Sequence, residues 1–252
     1  EVAQDVPDLQ VGARVMANVS GGAFASHCVA HWTDVHALPD NLDFVAAAGF
    51  PVAYGTSHLG LLKAGLKSGE TLVVHGATGG TGMAAIQLVR HLGARAIATG
   101  RSLNKLSAAQ RVGAHEVLAL GPDLRERLLA VTDQRGVDVV FDPVGGDVFD
   151  ASLRALAWEG RLLVIGFVSG RAAQLASNYL LIKGISVLGV RAGEFARRNP
   201  AGGALALQAV DALAAQGVLR PHIDAEFPLA QAVQALQRLA EGGVAGKVVV
   251  TM

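Results

Sequence analysis

The segment Gly76–Gly82 has the residue types that a bound pyrophosphate requires. It reads Gly-Ala-Thr-Gly-Gly-Thr-Gly and lies between a short β-branched run, Thr71–His75, and a helical pattern, Gly80–Leu92. Glycines let the backbone approach a phosphate closely, and the free N–H groups and positive dipole end of the following helix attract its charge. Because the segment joins a strand to a helix, it predicts a dinucleotide site rather than glycines that serve only tight packing.

The end of the next predicted strand indicates which dinucleotide is preferred. It reads Ala98-Thr99-Gly100-Arg101-Ser102, and Lys105 follows one helical turn later. An NAD site usually has Asp or Glu here to hold the ribose hydroxyls, and such a carboxylate would repel a 2′-phosphate. A guanidinium, a hydroxyl and an ammonium group would bind that phosphate. We therefore expect NADPH as the cofactor, held in part by Gly100, Arg101, Ser102 and Lys105. The alternative is that Arg101 and Lys105 are solvated residues at a helix start.

The elements that must position these residues alternate along the chain. Six short β-branched runs are separated by helical stretches: Thr71–His75, Arg95–Thr99, Glu116–Leu120, Val137–Asp142, Arg161–Gly166 and Ile185–Val190. This alternation predicts an α/β fold with a doubly wound, parallel, six-stranded Rossmann sheet. Asp142 ends the fourth run, so it could border the cofactor crevice, although turns use Asp just as readily.

The two ends of the chain do not continue this strand–helix alternation. Short strands are predicted before the alternating unit at Arg14–Val19, Ala23–Ala30 and Val35–Leu38. After the unit the pattern is helical at Ala204–Ala215 and Leu229–Ala240, and the chain ends in an apolar strand, Lys247–Thr251. These features predict a small β domain that the returning tail could rejoin.

Composition excludes several classes of function. The 21 acidic and 21 basic residues balance, which leaves no excess charge for a nucleic acid or an anionic membrane. The apolar runs are short and no signal-peptide pattern is present, so we expect a cytoplasmic protein. Cys28 is the only cysteine, which excludes an internal disulfide and a Cys-rich zinc site. His27, His31 and His36 lie near Cys28 and invite a metal interpretation, but the strand alternation that would put His27 and His31 on one face turns Cys28 to the other. No metal is expected.

Four segments together carry a family resemblance. They read VVHGATGGTGMAAIQL, GVDVVFDPVGG, GRLLVIGF and NYLLIKGISVLGV, and they resemble the zinc-free quinone oxidoreductase (zeta-crystallin-like) branch of the medium-chain dehydrogenase/reductase superfamily. The resemblance implies a partial GroES-like domain from residues 1–55 and 218–252 beside a Rossmann domain from residues 56–217. It also implies that an N-terminal part is missing, and the chain begins at Glu1 rather than Met.

The resemblance implies roles for individual residues. Gly79, Gly80, Thr81 and Gly82 would hold the pyrophosphate, while Ser102 and Lys105 would hold the 2′-phosphate. Phe167 and Val168 would lie along the nicotinamide, and Asn178 and Lys183 match a recurring motif. The polar residues expected near the substrate, and therefore the candidate catalytic residues, are Tyr54, Thr56, His58 and Arg191. His58 stands where the family often has a tyrosine, and Leu120 stands near the place of another.

The resemblance implies transfer of a hydride from NADPH to a quinone or an activated alkene or carbonyl, without zinc. Two alternatives stay open: an enoyl reductase, acting on an acyl-CoA or in a polyketide synthase, and a non-catalytic NADPH-binding protein. A homodimer is also expected, because the predicted edge strand Ile185–Val190 has no charge or proline against pairing with its own copy.

Overall fold

The computed structural model describes residues 1–4, 6–7 and 9–252. Along these residues the strands are β1 (Val15–Ala17), β2 (Val35–Ala37), β3 (Thr71–Val74), β4 (Arg95–Gly100), β5 (Glu116–Ala119), β6 (Val137–Asp142), β7 (Leu156–Val164), β8 (Ser186–Gly189), β9 (Ile223–Pro228) and β10 (Lys247–Thr251).

The helices surround the strands on both sides. They are α1 (Phe44–Gly49), α2 (Pro51–Ala64), α3 (Gly80–His91), α4 (Leu103–Arg111), α5 (Leu124–Ala130), α6 (Gly146–Ala155), α7 (Asn178–Lys183), α8 (Ala192–Arg198), α9 (Pro200–Ala215) and α10 (Ala232–Ala240). In the described part of the chain, none of them has the length and apolar character needed to cross a membrane.

Six strands form one parallel sheet in the order β5-β4-β3-β6-β7-β8. The order reverses between β3 and β6, which is the switch point of a doubly wound fold and the usual place of a ligand crevice. The predicted Rossmann sheet is therefore confirmed. Alternate residues of β3 point to opposite layers, since Leu72 and Val74 belong to one apolar cluster and Val73 belongs to the other. Helices on both faces explain why this strand is apolar throughout.

The bounds of β7 differ from the prediction Arg161–Gly166. The strand begins at Leu156, and its pairing with β6 jumps from Leu156 to Arg161 between Val137 and Val139. The intervening residues bulge out of the ladder, and Glu159 has a φ of +58° there. A bulge interrupts the alternation of side chains, so the first part of the strand was not visible in the sequence pattern.

The small β region is simpler than predicted. β1 and β2 pair antiparallel, but Ala23–Ala30 contains no strand, and that prediction is wrong. The segment is exposed apart from half-buried Ala25 and Ala30, and its many small side chains give little apolar surface with which to hold a ladder. Because the segment is not a strand, the argument that strand alternation turns Cys28 away from His27 and His31 no longer applies.

The returning tail forms its own pair of strands. β9 and β10 pair in parallel and pack against α1, and within the described residues neither strand pairs with β1 or β2. The tail also touches the Rossmann unit, since Gly246 pairs with Gly79 through an isolated bridge. The division into residues 1–55 with 218–252 and residues 56–217 stays a prediction.

Candidate cofactor site

The glycine-rich segment lies at the carboxyl end of β3, beside the switch point. Gly76 has a φ of +57°, a left-handed conformation that glycine adopts without strain. The Ala77 N–H donates to the Thr99 carbonyl over 3.1 Å, and the His75 N–H donates to the Phe141 carbonyl over 3.0 Å. These bonds tie the segment to the ends of β4 and β6. α3 then begins directly after Gly79, so its first N–H groups face the same crevice.

Gly82 shows why a side chain is excluded from the first turn of α3. A methyl group added at Gly82 would lie 2.5 Å from the carbonyl oxygen of Gly76 and 2.8 Å from Cα of Ala77. Both atoms belong to the backbone and cannot rotate away. The helix therefore packs directly on the turn, in the close approach that a pyrophosphate cradle requires. This geometry fits a dinucleotide.

Lys247 is a residue of this site that sequence reasoning missed. The Gly246 N–H donates to the Thr78 carbonyl over 2.7 Å, which brings the start of β10 onto the glycine-rich segment. A methyl group added at Gly80 would lie 2.5 Å from Cδ of Lys247, so the lysine stem crosses the start of α3. Among the described residues, the Lys247 ammonium group has no hydrogen-bonded or ion-paired partner. The only signal in the sequence is a lysine after glycine at the start of the last strand.

The predicted phosphate-selecting turn follows β4, as expected. The Lys105 ammonium group donates to the carbonyl of Gly242, and Arg101 is exposed on the same side, with a guanidinium nitrogen 3.9 Å from the place of a methyl at Gly242. Ser102 is half-buried at the N-cap position of α4, where its side chain makes no capping hydrogen bond. The loop between α10 and β10 therefore forms the outer wall of this turn. Gly100 is buried against Leu106.

A buried polar network lies beneath the two turns. His75 is fully buried, with Nδ1 2.6 Å from the Thr99 hydroxyl and Nε2 2.6 Å from the Ser152 hydroxyl. Burial lowers the pKa of His75 to about 3, because the charged imidazolium would lose its hydration. The side chain is therefore a neutral member of the network at physiological pH.

The opposite side of the crevice is formed by the ends of β6 and β7. Asp142 is buried, and its Oδ1 accepts hydrogen bonds from the backbone N–H groups of Val144 at 2.8 Å and Gly145 at 2.9 Å. Burial raises the pKa of this carboxyl, partly offset by those two bonds. Asp142 thus holds the turn after β6, the alternative role considered for it.

Phe167 and Val168 follow β7 and are exposed, Val168 to 83%. The Val168 N–H donates to the Pro143 carbonyl over 3.1 Å. This N–H is therefore engaged within the protein, and the contact joins the loops after β6 and β7. Contact of Phe167 and Val168 with a nicotinamide stays a prediction.

Two of the four candidate catalytic residues face other helices. Tyr54 is only 1% exposed; it stacks on Phe50 with ring centroids 4.3 Å apart, and its hydroxyl donates to Gln87 over 2.9 Å. Burial raises its pKa. The expectation that Tyr54 contacts substrate is therefore wrong, because a stacked, hydrogen-bonded tyrosine in the core cannot reach a cleft. His58 is half-buried towards Ala206 of α9, and burial lowers its pKa.

The remaining candidates have less defined surroundings. Thr56 is half-buried on α2, and Arg191 is exposed where α8 begins. Asn178 is exposed at the start of α7. Lys183 donates to the Arg154 and Leu156 carbonyls, each over 2.9 Å. Because Leu156 begins β7, Lys183 lies at the amino end of the sheet, away from the crevice. Within the described residues, no three His, Cys, Asp or Glu side chains are placed to hold a metal ion.

The chain is similar to several known proteins. Residues 80–217 match the family model described as zinc-binding dehydrogenase. The chain is 34% identical over 255 residues to quinone oxidoreductase-like protein 2 of Mus musculus, covering 100% of this chain and 73% of the mouse protein. This chain belongs to the quinone oxidoreductase branch of the medium-chain dehydrogenase/reductase superfamily.

Further relatives of this oxidoreductase extend the comparison. A crystal structure of a probable oxidoreductase from Mycobacterium abscessus superposes with a TM-score of 0.90 at 33% identity, covering 100% of this chain and 76% of that one. A mycobacterial protein in complex with NADPH has a TM-score of 0.89 at 28% identity, over 97% of this chain and 77% of that one. The spectinabilin polyketide synthase system protein NorB of Streptomyces orinoci is 35% identical over 254 residues, covering 100% of this chain and 11% of that protein.

Proposed function

We propose that this oxidoreductase uses NADPH to reduce a quinone or an activated alkene or carbonyl, without zinc. The observation that carries the proposal is the placement of three cations around the crevice: Arg101 and Lys105, which follow β4, lie beside Gly242, and Lys247 crosses Gly80. No carboxylate stands at the end of β4 to favour NAD. NADPH, when bound, supplies a hydride to an electron-poor carbon.

The chain's own residues would bind and orient the cofactor. The N–H groups at the start of α3 and the Lys247 ammonium group would face the pyrophosphate. Arg101, Ser102 and Lys105 would face the 2′-phosphate, with Lys105 exchanging the Gly242 carbonyl for a phosphate oxygen. The loops after β6 and β7 would border the reacting end of the cofactor. Thr56 and Arg191 are the polar side chains proposed nearest the substrate.

The first test concerns the choice of cofactor. We expect NADPH to bind about tenfold or more tightly than NADH, since tenfold corresponds to about 1.4 kcal/mol, within the range of one charge-assisted hydrogen bond. Lys105→Ala should weaken NADPH binding and leave NADH binding nearly unchanged. Fluorescence titration measures both dissociation constants. Lys67→Ala, an exposed lysine before β3, is the matched control and should change neither. Equal constants for the two cofactors in the unaltered protein would refute the proposal.

A second test separates the pyrophosphate from the 2′-phosphate. Lys247→Gln keeps most of the stem that crosses Gly80 but removes the charge, so it should weaken NADPH and NADH by the same factor, about tenfold. The same titration measures this effect. A loss confined to NADPH would assign Lys247 to the 2′-phosphate instead, and no loss with either cofactor would remove it from the site.

An enoyl reductase is a second candidate, favoured by the 35% identity to the polyketide synthase protein across the whole chain. Both functions use the same cofactor crevice and differ in the electron acceptor. Oxidation of NADPH with a simple quinone, compared with an enoyl thioester, decides between them. Turnover with neither acceptor, with NADPH binding intact, would favour the binding-only alternative.

We also propose a homodimer in which β8 pairs with its own copy. In the described residues β8 has no neighbour on its outer side. Exposed apolar side chains lie close to β8 along the chain or in space: Leu181, 85% exposed, and Ile182 on the preceding helix α7, and Trp158 at 3.8 Å from the place of a methyl at Gly184. An apolar, uncharged edge is prone to pair with another strand, and antiparallel pairing of identical strands satisfies a two-fold axis.

Charge on this edge should separate the subunits. Val187→Lys places like charges near the proposed axis, and we expect light scattering to report a monomer mass for the variant and a dimer mass for the unaltered protein. Because Val187 also packs on the core, Leu181→Lys, at an exposed position, is the companion variant. A monomer in the unaltered protein at micromolar concentration would refute the dimer.

A further inference from the structure

The buried network of His75 has a single consistent arrangement of protons. The Ser152 hydroxyl donates to the Val148 carbonyl over 2.7 Å, so its one hydrogen is committed and its oxygen accepts from His75 Nε2–H. His75 Nδ1 then carries no hydrogen and accepts from the Thr99 hydroxyl. The contact of that hydroxyl with the Val74 carbonyl is 3.4 Å, much longer than the 2.6 Å to Nδ1. His75, the residue directly after β3, is therefore joined to β4 and α6 by two directed bonds.

The Thr99 side of the network touches both halves of the cofactor crevice. The Thr99 carbonyl accepts from the Ala77 N–H in the glycine-rich segment. Along the chain, Thr99 is followed by Gly100, Arg101 and Ser102, the turn proposed to face the 2′-phosphate. The Ser152 side instead ends within α6, whose residues are not part of either phosphate-binding turn. Of the two hydrogen bonds of the His75 imidazole, the one to Thr99 therefore leads to the cofactor crevice and the one to Ser152 leads to α6.

We propose that the His75–Thr99 pair is a positioning element that fixes the turn after β4 relative to the glycine-rich segment, and so sets the preference for NADPH over NADH. The inference rests on the proposed function, in which the turn after β4 binds the 2′-phosphate. His75 and Thr99 are fully buried and act through Arg101 and Ser102. The Thr99 bond orients the backbone on which those residues stand.

Two variants that remove one bond each from the same imidazole test the proposal. Thr99→Val removes the donor to Nδ1 with little change of volume, and Ser152→Ala removes the acceptor from Nε2–H. Thr99 and Ser152 are both fully buried, and each variant leaves one ring nitrogen without its partner, so losses of stability of similar size are expected. Thermal unfolding of the full chain measures those losses. Fluorescence titration with NADPH and with NADH measures the cofactor preference.

We expect Thr99→Val to weaken NADPH binding about fivefold while NADH binding changes less than about twofold. Ser152→Ala should leave the ratio of the two constants unchanged. Equal ratios in Thr99→Val, Ser152→Ala and the unaltered protein would overturn the positioning role, and so would an equal fall of the ratio in both variants. If the unaltered protein itself shows no preference for NADPH, the proposed function fails, which is a distinguishable result.

Discussion

Gly82→Ala should abolish cofactor binding and lower the free energy of unfolding by about 3 kcal/mol, at the upper end of the cost of overpacking a close contact. The added methyl would meet the Gly76 carbonyl oxygen at 2.5 Å and Ala77 Cα at 2.8 Å. To relieve this overlap, α3 would have to move away from the turn after β3. That movement would open the proposed pyrophosphate-binding site. Urea denaturation and NADPH titration measure the two effects.

Gly80→Ala is the matched control for this variant. Its methyl would lie equally close to another atom, 2.5 Å from Cδ of Lys247, but that atom belongs to a flexible side chain that can rotate. We therefore expect the free energy of unfolding to change by less than about 1 kcal/mol, with cofactor binding weakened through the displaced lysine. A Gly82→Ala protein as stable as Gly80→Ala and fully able to bind NADPH would contradict the close-packing argument.

Acid should destabilise the fold through His75. The pKa of His75 is about 3 in the folded chain, below the ordinary value of 6.5, so between these values the unfolded state binds a proton that the folded state does not. The contribution of His75 to the free energy of unfolding is fully present above pH 6.5 and is lost as the pH falls towards 3. The loss is about 1.4 kcal/mol per pH unit and on the order of 5 kcal/mol over the window.

Urea denaturation between pH 3 and 8 measures this dependence. Other groups also titrate in acid, so the decisive quantity is the difference between the unaltered protein and His75→Asn, which removes the titrating imidazole and should flatten the slope between pH 6.5 and 3. His91→Gln, at an exposed position at the end of α3, is the control for the loss of a histidine side chain. Identical slopes in His75→Asn and the unaltered protein would show that His75 is not the group responsible.

Local pattern predicted the Rossmann sheet and the position of the two turns that are proposed to bind phosphate. Strands such as β3 appear as short apolar runs because helices bury both faces, and α3 shows the helical period that its buried face requires. Glycines at a strand-to-helix turn reflect a backbone requirement that the sequence records directly, as at Gly82. The placement of Arg101 and Lys105 after β4 follows from chain order alone. These features depend on interactions among residues close in sequence or on the repeating βα pattern.

Sequence pattern gave wrong predictions where the outcome depends on a contact with a residue far away along the chain. Ala23–Ala30 is predicted as a strand but has no ladder partner in the described residues, and a strand cannot form without one. The sequence predicts Tyr54 as a polar residue near the substrate cleft. In the structure its hydroxyl donates to Gln87 on α3 and its ring stacks on Phe50. Both outcomes are decided by which helices and strands pack together.

The sequence by itself determined the fold, the glycine-rich turn and the basic turn after β4, because each is encoded by residue type and local spacing. Only the tertiary structure placed Lys247 over Gly80, linked Lys105 to Gly242 and set His75 between Thr99 and Ser152. These contacts join segments far apart along the chain. Their closeness is fixed by the way β10, β4 and α6 pack in the folded chain, which no local periodicity records.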